Sequence, residues 1–342
     1  MSRAEASRSS CLHWVLYLLP LPVLVLSLLV GPSETLTARD AASWLAANTL
    51  GLAPAADVND RLARTILLDV RLPRVLLTFL IGGALAAAGT GLQALFRNPL
   101  VCPYLLGLSS GGAFGAALAL TTPWLPLQPA AFLFGLTAVG LSYLLARTHR
   151  RVSTISLVLS GVIVSGMFTS LLTILQFLTD PFKLQTIVHW TMGNLHNASW
   201  AKVRSSAPLI LFSCAWLFLL RWRMNVLALG DEETRSVGLN PEREKLLVLL
   251  PATLAASASV AVAGVISLVG LVVPHMVRML IGPDNTRSMP AAFALGGAFL
   301  LLVDNCSRSL TSFELPVGVF TTLLGGPFFV YLLKRARIGW EI

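Results

Sequence analysis

Charge is what this sequence is short of: only 12% of its 342 residues are Asp, Glu, Lys or Arg. A soluble domain carries about 25%, so roughly half the charge needed to solvate a water-facing surface is missing. That shortage excludes the two ordinary soluble domains that length alone would suggest. Cysteine is also sparse. Cys11, Cys102, Cys214 and Cys306 are widely scattered and form no CxxC pair, so neither a zinc site nor a disulfide framework is encoded. No Walker P-loop, HExxH or Gly-x-Ser-x-Gly occurs, and the chain therefore brings no recognisable catalytic constellation, metal site or cofactor-binding signature of its own. Its five histidines are thinly spread. His189 and His196 stand seven apart and read as surface residues, while His275 and Arg278 stand three apart, share a helix face and read as interfacial anchors.

Apolar residues are what is present. They make up 55% of the chain, the mean hydropathy is +0.76, and they come in blocks long enough to cross a bilayer, at about 20 helical residues each. Ten blocks are predicted, near residues 14–30, 75–95, 104–122, 130–146, 156–178, 207–220, 246–263, 265–281, 290–303 and 317–333. All are expected to be helices, because a lipid-facing backbone must satisfy its hydrogen bonds internally and no strand alternation suggests a barrel. Gly264, with Gly270 and Pro274, argues for a break between the seventh and eighth. Arg3 and Arg8 before the first block imitate a signal peptide, but no A-x-A-like site follows, so the block reads as an uncleaved span. Gly82, Gly83, Gly89 and Gly91, with the alanines between them, make a small-residue face suited to close helix packing. The chain reads as one transmembrane domain over 1–342.

The net charge of +9 fits basic loops against an anionic leaflet; no basic run interleaved with aromatics suggests nucleic acid. With both termini inside, sixteen of the 25 Lys and Arg face the cytoplasm and nine lie outside, as the positive-inside bias requires. Two loops are long. The external one, about 31–74, carries Trp44, Asp57, Asp60 and two basic pairs. The internal one, about 221–245, shows helix signals: Asp231, Glu232 and Glu233 open a turn, Gly238 can close it, and Asn240-Pro241 starts a second helix with Glu242 near its N-terminus. From these residues alone a transporter subunit, an ion-coupled secondary carrier and a membrane enzyme all stay open. A carrier needs intramembrane acids, and the expectation is that only Asp304 lies near a span.

Four segments settle the choice: RLPRVLLTFLIGGALAAAGTGLQALFRNPLVCPYLLGLSSGGAFGA (71–116), LALGDEETRSVGLN (227–240), GVISLVGLVVPHMVRMLIGPD (264–284) and ELPVGVFTTLLGGPFFVYLLKR (314–335). Together, and in order, they resemble the FecCD-type permeases, membrane subunits of ATP-binding-cassette importers for ferric siderophores, haem and cobalamin. The resemblance implies an all-α membrane protein with about ten transmembrane helices in the type II ABC importer permease fold. It further implies a second permease copy, two cytoplasmic ATPase subunits and an external substrate-binding protein. ATP hydrolysis would lie on those partners, and the cargo would be a bulky metal chelate. Carried over by position, the docking arginines for the binding protein are Arg71, Arg74 and Arg308. The cytoplasmic gate is Asn98, Leu100 and Thr154. The coupling loop uses Leu229, Gly230, Asp231, Glu232, Arg235, Gly238 and Leu239. Ile155 and Cys102 depart from the residues common in the family near the gate.

Overall fold

Lipid gives backbone N–H and C=O groups no partners, so apolar segments must close their own hydrogen bonds, and in the computed structural model they do so as helices. The structure describes residues 15–31, 36–50, 60–148, 151–310 and 313–336; Arg3, Arg8, Cys11 and Asp57 lie outside them. The chain enters through α1 (Pro20–Leu29) and α2 (Ala38–Leu50), then α3 (Asp60–Arg64), which runs through a π-helical stretch (Thr65–Arg71) into α4 (Leu72–Phe96). A 3-10 turn (Pro103–Leu106), α5 (Leu108–Thr121) and α6 (Leu127–Ala146) follow. The short strands β1 (Arg147–Thr148) and β2 (Arg151–Val152) pair antiparallel, Arg147 opposite Val152. Then come α7 (Thr154–Leu178), α8 (Pro181–Thr191), α9 (Trp200–Leu229), α10 (Asp231–Ser236), α11 (Pro241–Ala263), α12 (Val269–Ile281), α13 (Asn285–Ser309) and α14 (Val317–Ala336).

Among the described residues six helical stretches are long and apolar enough to cross a membrane, and four more are shorter and apolar, beginning at Val15, Leu108, Val269 and Val317. Each of the ten predicted blocks coincides with one of them. The hub is α4, whose apolar window is 83% buried, against 22% for α7. α4 packs on α9, α11, α12 and α13. Its small residues make that possible. A Cβ on Gly89 would collide with the carbonyl oxygen of Gly270 in α12, and one on Gly82 with the backbone of Gly296 in α13. The break between α11 and α12 falls where glycine permits it, at Gly264 with φ +73°. Residues 264–267 are irregular, and Leu268 (φ 63°) caps α12. Pro274 lies inside α12 and does not end it.

Several boundaries differ from expectation. The second span starts at residue 60, not 75, because Ala63 and Leu67 pack with Leu36 and Trp44, and Trp44 Nε1 donates to Asp60 Oδ1 at 2.7 Å. The described residues of the loop expected outside are thus largely helical. The sixth span runs from Trp200 to Leu229, so residues 221–229 extend a helix that was expected to have ended. The helix starting at Pro241 is not a second short cytoplasmic helix but the first turns of α11 itself, capped by Asn240, which accepts from the Glu242 and Arg243 amides.

Close helix contact at Gly89 yields a paired test. Gly89→Ala should destabilise the folded protein by about 1–3 kcal/mol, as overpacking does. Gly140→Ala, where nothing lies within 4 Å of the added carbon, should be neutral or stabilising by about 0.5–1 kcal/mol. Thermal unfolding in detergent reads both, and equal shifts would show that the α4–α12 contact does not limit packing.

Candidate functional site

Twenty-five residues of α4 span about 37 Å, and a cluster of charge sits at each end. At the Arg97 end a short helix is presented on the surface. α9 ends at Leu229, which is 69% exposed. Gly230 (φ 152°) turns the chain, and α10 begins with Asp231, Glu232 and Glu233 in its first turn, where acidic side chains suit the helix dipole. Thr234 is fully buried, and its hydroxyl donates to the Gly230 carbonyl at 2.5 Å. Glu232, Glu233, Arg235, Ser236 and Val237 therefore face outward. The Gly238 amide donates to Arg235 and the Leu239 amide to Thr234, so Gly238 (φ 81°) closes the helix as anticipated. Leu239 is half-buried.

Asp231 turns inward and joins three segments. Its Oδ2 lies 2.7 Å from Lys245 Nζ in α11, and its Oδ1 lies 3.7 Å from the Arg97 guanidinium. Lys245 also reaches Glu242 at 3.4 Å and the Val152 carbonyl at 3.5 Å. The Val152 amide donates to Glu242 at 3.2 Å. The loop after α4 and the ribbon before α7 thus both meet the α10–α11 corner. Asn98 and Leu100 are exposed in that first loop, held by the Leu100 amide donating to Asn98 Oδ1 at 2.9 Å. The backbone of Thr154 opens α7; its side chain lies outside the described residues. Arg97, Glu242 and Lys245 were not anticipated in this role. Lys245 follows Glu242 by three residues, a helical ion-pair spacing that could have signalled it.

At the Arg74 end the three expected docking arginines come together but do not face outward. Arg71, Arg74 and Arg308 are 4%, 7% and 3% exposed. Arg74 holds Asp304 at 2.8 Å and Glu314 at 2.9 Å. Arg308 lies 3.8 Å from Asp304, donates to the Ser27 carbonyl at 2.7 Å and contacts Asn305. Arg71 donates to the carbonyls of Leu28 and Leu29, both at 2.9 Å, and to that of Leu36 at 3.3 Å. These guanidiniums tie α1, α4 and α13 together, and the expectation of rim charges ready for a partner is corrected. The reason is chemical: five donors in a planar fork satisfy backbone carbonyls and a carboxylate at once. Asp304 is fully buried, and Glu244, at the start of α11, is a second buried acid, paired with Arg223 at 2.9 Å; only Asp304 was expected. Arg278 is not a plain interfacial anchor either. It donates to Gln93 Oε1 at 2.7 Å and to the Thr90 carbonyl at 3.2 Å. Among the described residues no group of three His, Cys, Asp or Glu is placed to hold a metal ion.

The chain matches a family model described as the FecCD transport family over residues 18–335. It is similar to a probable iron chelatin transport system permease protein of Helicobacter pylori, 39% identical over 80% of this chain and 83% of that protein. It is also similar to the hemin transport system permease protein HmuU of Yersinia pestis, 41% identical over 80% of this chain and 84% of that one. Among solved structures, one titled as an inward-facing conformation of a putative metal-chelate type ABC transporter superposes with a TM-score of 0.82. It is 31% identical and covers 94% of this chain and 98% of that chain.

The Arg74 cluster makes a stability prediction. Asp304→Ala leaves two buried arginines short of their carboxylate and should cost about 3–5 kcal/mol, as breaking a buried pair does. Glu314→Ala removes an acid at the solvent edge and should cost about 1 kcal/mol or less. Denaturant unfolding in detergent ranks them; an equal loss would mean that Asp304 does not neutralise the cluster.

Proposed function

The chain belongs to the FecCD transport family, a multi-pass membrane permease, and from that premise we propose that it carries a bulky metal chelate inward as one of two permease copies. Two ATPase subunits dock on its cytoplasmic face, and a substrate-binding protein delivers cargo outside. The carrying observation is the 0.82 superposition over 94% of the chain on the structure titled as a putative metal-chelate type ABC transporter. Nucleotide chemistry is assigned to the partners because this sequence has no P-loop.

We place the Arg97 end in the cytoplasm, since that puts sixteen of the 25 basic residues inside. There Leu229, Glu232, Arg235 and Val237 form the face that meets the ATPase, with Gly230, Gly238 and Leu239 shaping it. Asn98, Leu100 and Thr154 belong to the gate. Asp231 passes ATPase movement to the ribbon before α7 through Lys245, and its weaker pair with Arg97 lets the loop after α4 stay behind. The long apolar face of α7, with Ile155, Leu159, Met167 and Phe177 exposed, is covered by lipid and by the second copy. At the outer end Arg71, Arg74 and Arg308 serve the docking of the binding protein by holding Glu314 and the ends of α1, α4 and α13 in place. An ion-coupled carrier is disfavoured, because both buried acids are engaged: Asp304 between two arginines and Glu244 with Arg223.

Reversing Glu232 and Glu233 to Lys should lower co-purification of the ATPase at least about tenfold while leaving the permease folded, since an unfavourable charge juxtaposition costs over 1.4 kcal/mol. Asp231→Asn should retain the ATPase yet slow ATP-driven uptake into proteoliposomes. Uptake by the permease alone, without ATP, would overturn the reading. Orientation has its own check. In intact cells, cysteine at Ser236 should resist an impermeant thiol reagent and cysteine at Lys183 should react; the reverse order would invert the topology.

A further inference from the structure

Two arginines stay unspent at the Arg97 end, where the entry to α1, α9 and α13 meet. Arg287 lies in the first turn of α13 and Arg221 in α9, about two turns before its end, and both are exposed. Tyr17, on the helical residues that lead into α1, joins them. Its hydroxyl donates to the Arg287 carbonyl at 3.2 Å, and both guanidiniums lie within electrostatic reach of it. Arg221 pairs with no carboxylate among the described residues, although Arg223 beside it takes Glu244 at 2.9 Å. Arg287 has only a loose neighbour, Asp284 at 3.9 Å. That carboxylate is already engaged by Asn225 at 2.7 Å and by the Thr286 amide at 2.9 Å. The corner therefore keeps a net positive charge.

From these charges an apolar groove runs into the bundle. α1 and α9 both pack on α4 and α13, but not closely on each other. The floor between them is a file of phenyl rings from three helices. Phe218 of α9 meets Phe293 of α13 at 5.9 Å, and Phe293 meets Phe79 of α4 at 5.8 Å, both edge to face. All three rings are only half-buried. Phe218 precedes Arg221 by three residues and so shares its helix face. Leu24 of α1 packs on the same apolar cluster as Phe79. Trp222, next to Arg221, is 57% exposed, and an indole favours the headgroup level of a bilayer.

We propose that this corner binds one anionic glycerophospholipid, its phosphodiester held by Arg221 and Arg287 and an acyl chain laid along the phenyl file. A guanidinium can give a phosphate two parallel hydrogen bonds, and basic pockets between transmembrane helices suit anionic headgroups. A zwitterionic lipid brings its own cation against the two guanidiniums, so the site discriminates by headgroup charge. Bound there, the lipid joins the entry to α1 to α9 and α13, as Arg71 and Arg308 fix the other end of α1. The inference needs only the membrane placement of the chain and is independent of the cargo and of the ATPase.

The test uses the full-length protein in neutral detergent, stripped of native lipid and titrated with dioleoyl phosphatidylglycerol or dioleoyl phosphatidylcholine. Native mass spectrometry counts the lipid retained, and thermal unfolding reads its effect. Phosphatidylglycerol should be retained at least about tenfold more tightly and should raise the melting temperature, since each basic side chain near an anionic headgroup is worth roughly a fivefold factor. Arg221→Gln combined with Arg287→Gln should abolish both the preference and the stabilisation, with the lipid-free melting temperature unchanged. Arg221→Lys with Arg287→Lys keeps the charge and should retain part of the preference. Arg243→Gln removes another exposed arginine from the same end and should change neither. A preference undiminished in the double Gln variant overturns the proposal. So does an equal loss in Arg243→Gln, which marks a diffuse charge effect, or displacement of the lipid by millimolar inorganic phosphate, which marks a site for a free anion. ATPase co-purification is read separately, so a failed lipid site is distinguishable from a failed permease reading.

Discussion

Everything in this fold depends on how closely α4 can approach α12 and α13. In a bilayer the hydrophobic effect does not press helices together, so contact rests on packing and on polar groups between them. α4 meets the condition with glycine where backbones touch, at Gly82 and Gly89, and with Thr90 and Gln93 facing α12. Gln93 is buried and donates to the Leu271 carbonyl while accepting from Arg278. The helix is therefore pinned along its length, and its ends are rigid mounts. One carries Arg74 and the other carries Arg97, so the charge clusters at the two ends share one rigid helix.

The buried arginines follow from the same constraint. A charge in the hydrocarbon region is expensive, about 3 kcal/mol or more, and it persists only where its donors are met. At the Arg74 end two acids and a row of backbone carbonyls meet most of them, and Arg308 Nε, which makes no hydrogen bond, faces Asp304 at 3.8 Å. The carbonyls of Ser27, Leu28 and Leu29 belong to the last turn of α1, which has no intrahelical partners for them. Arg71 and Arg308 thus close the end of α1 and fix it against α4 and α13, and Arg308 also faces the Asp304 carboxylate. A partner protein arriving at this end meets a surface whose shape these side chains set, not a rim of free positive charge.

The helices were legible because periodic apolar runs and glycine breaks are local signals. The α11–α12 break could be read at Gly264, and α10 from three consecutive acids followed by Gly238. The start of this span was hidden, since Arg71 and Arg74 resemble a water-facing loop when their partners are unseen. Asp304 lies 230 residues away in sequence from Arg74, and no local pattern links them. The Glu242–Lys245 turn was mistaken for a separate surface helix for the same reason: its charges are spent on Asp231, Arg223 and the ribbon before α7. His189 and His196 read as two surface residues at a spacing of seven, and both are exposed. Only the turn at Gly193 brings the rings into contact.

The two bonds of Asp231 are unequal, and that inequality has a mechanical consequence. Lys245 is nearly enclosed, with its side chain 11% exposed, and sits at 2.7 Å; Arg97 is 42% exposed and sits at 3.7 Å. An exposed pair at that distance is worth about 0–1 kcal/mol and is screened by salt, whereas the enclosed one is screened far less. A displacement of α10 therefore carries α11 with it and parts from the loop after α4. The ribbon before α7 follows α11, because Glu242 and Lys245 hold both the amide and the carbonyl of Val152. In the proposed gate, one segment thus moves with α10 while the other stays on rigid α4, and relative motion between them is what opening a constriction requires.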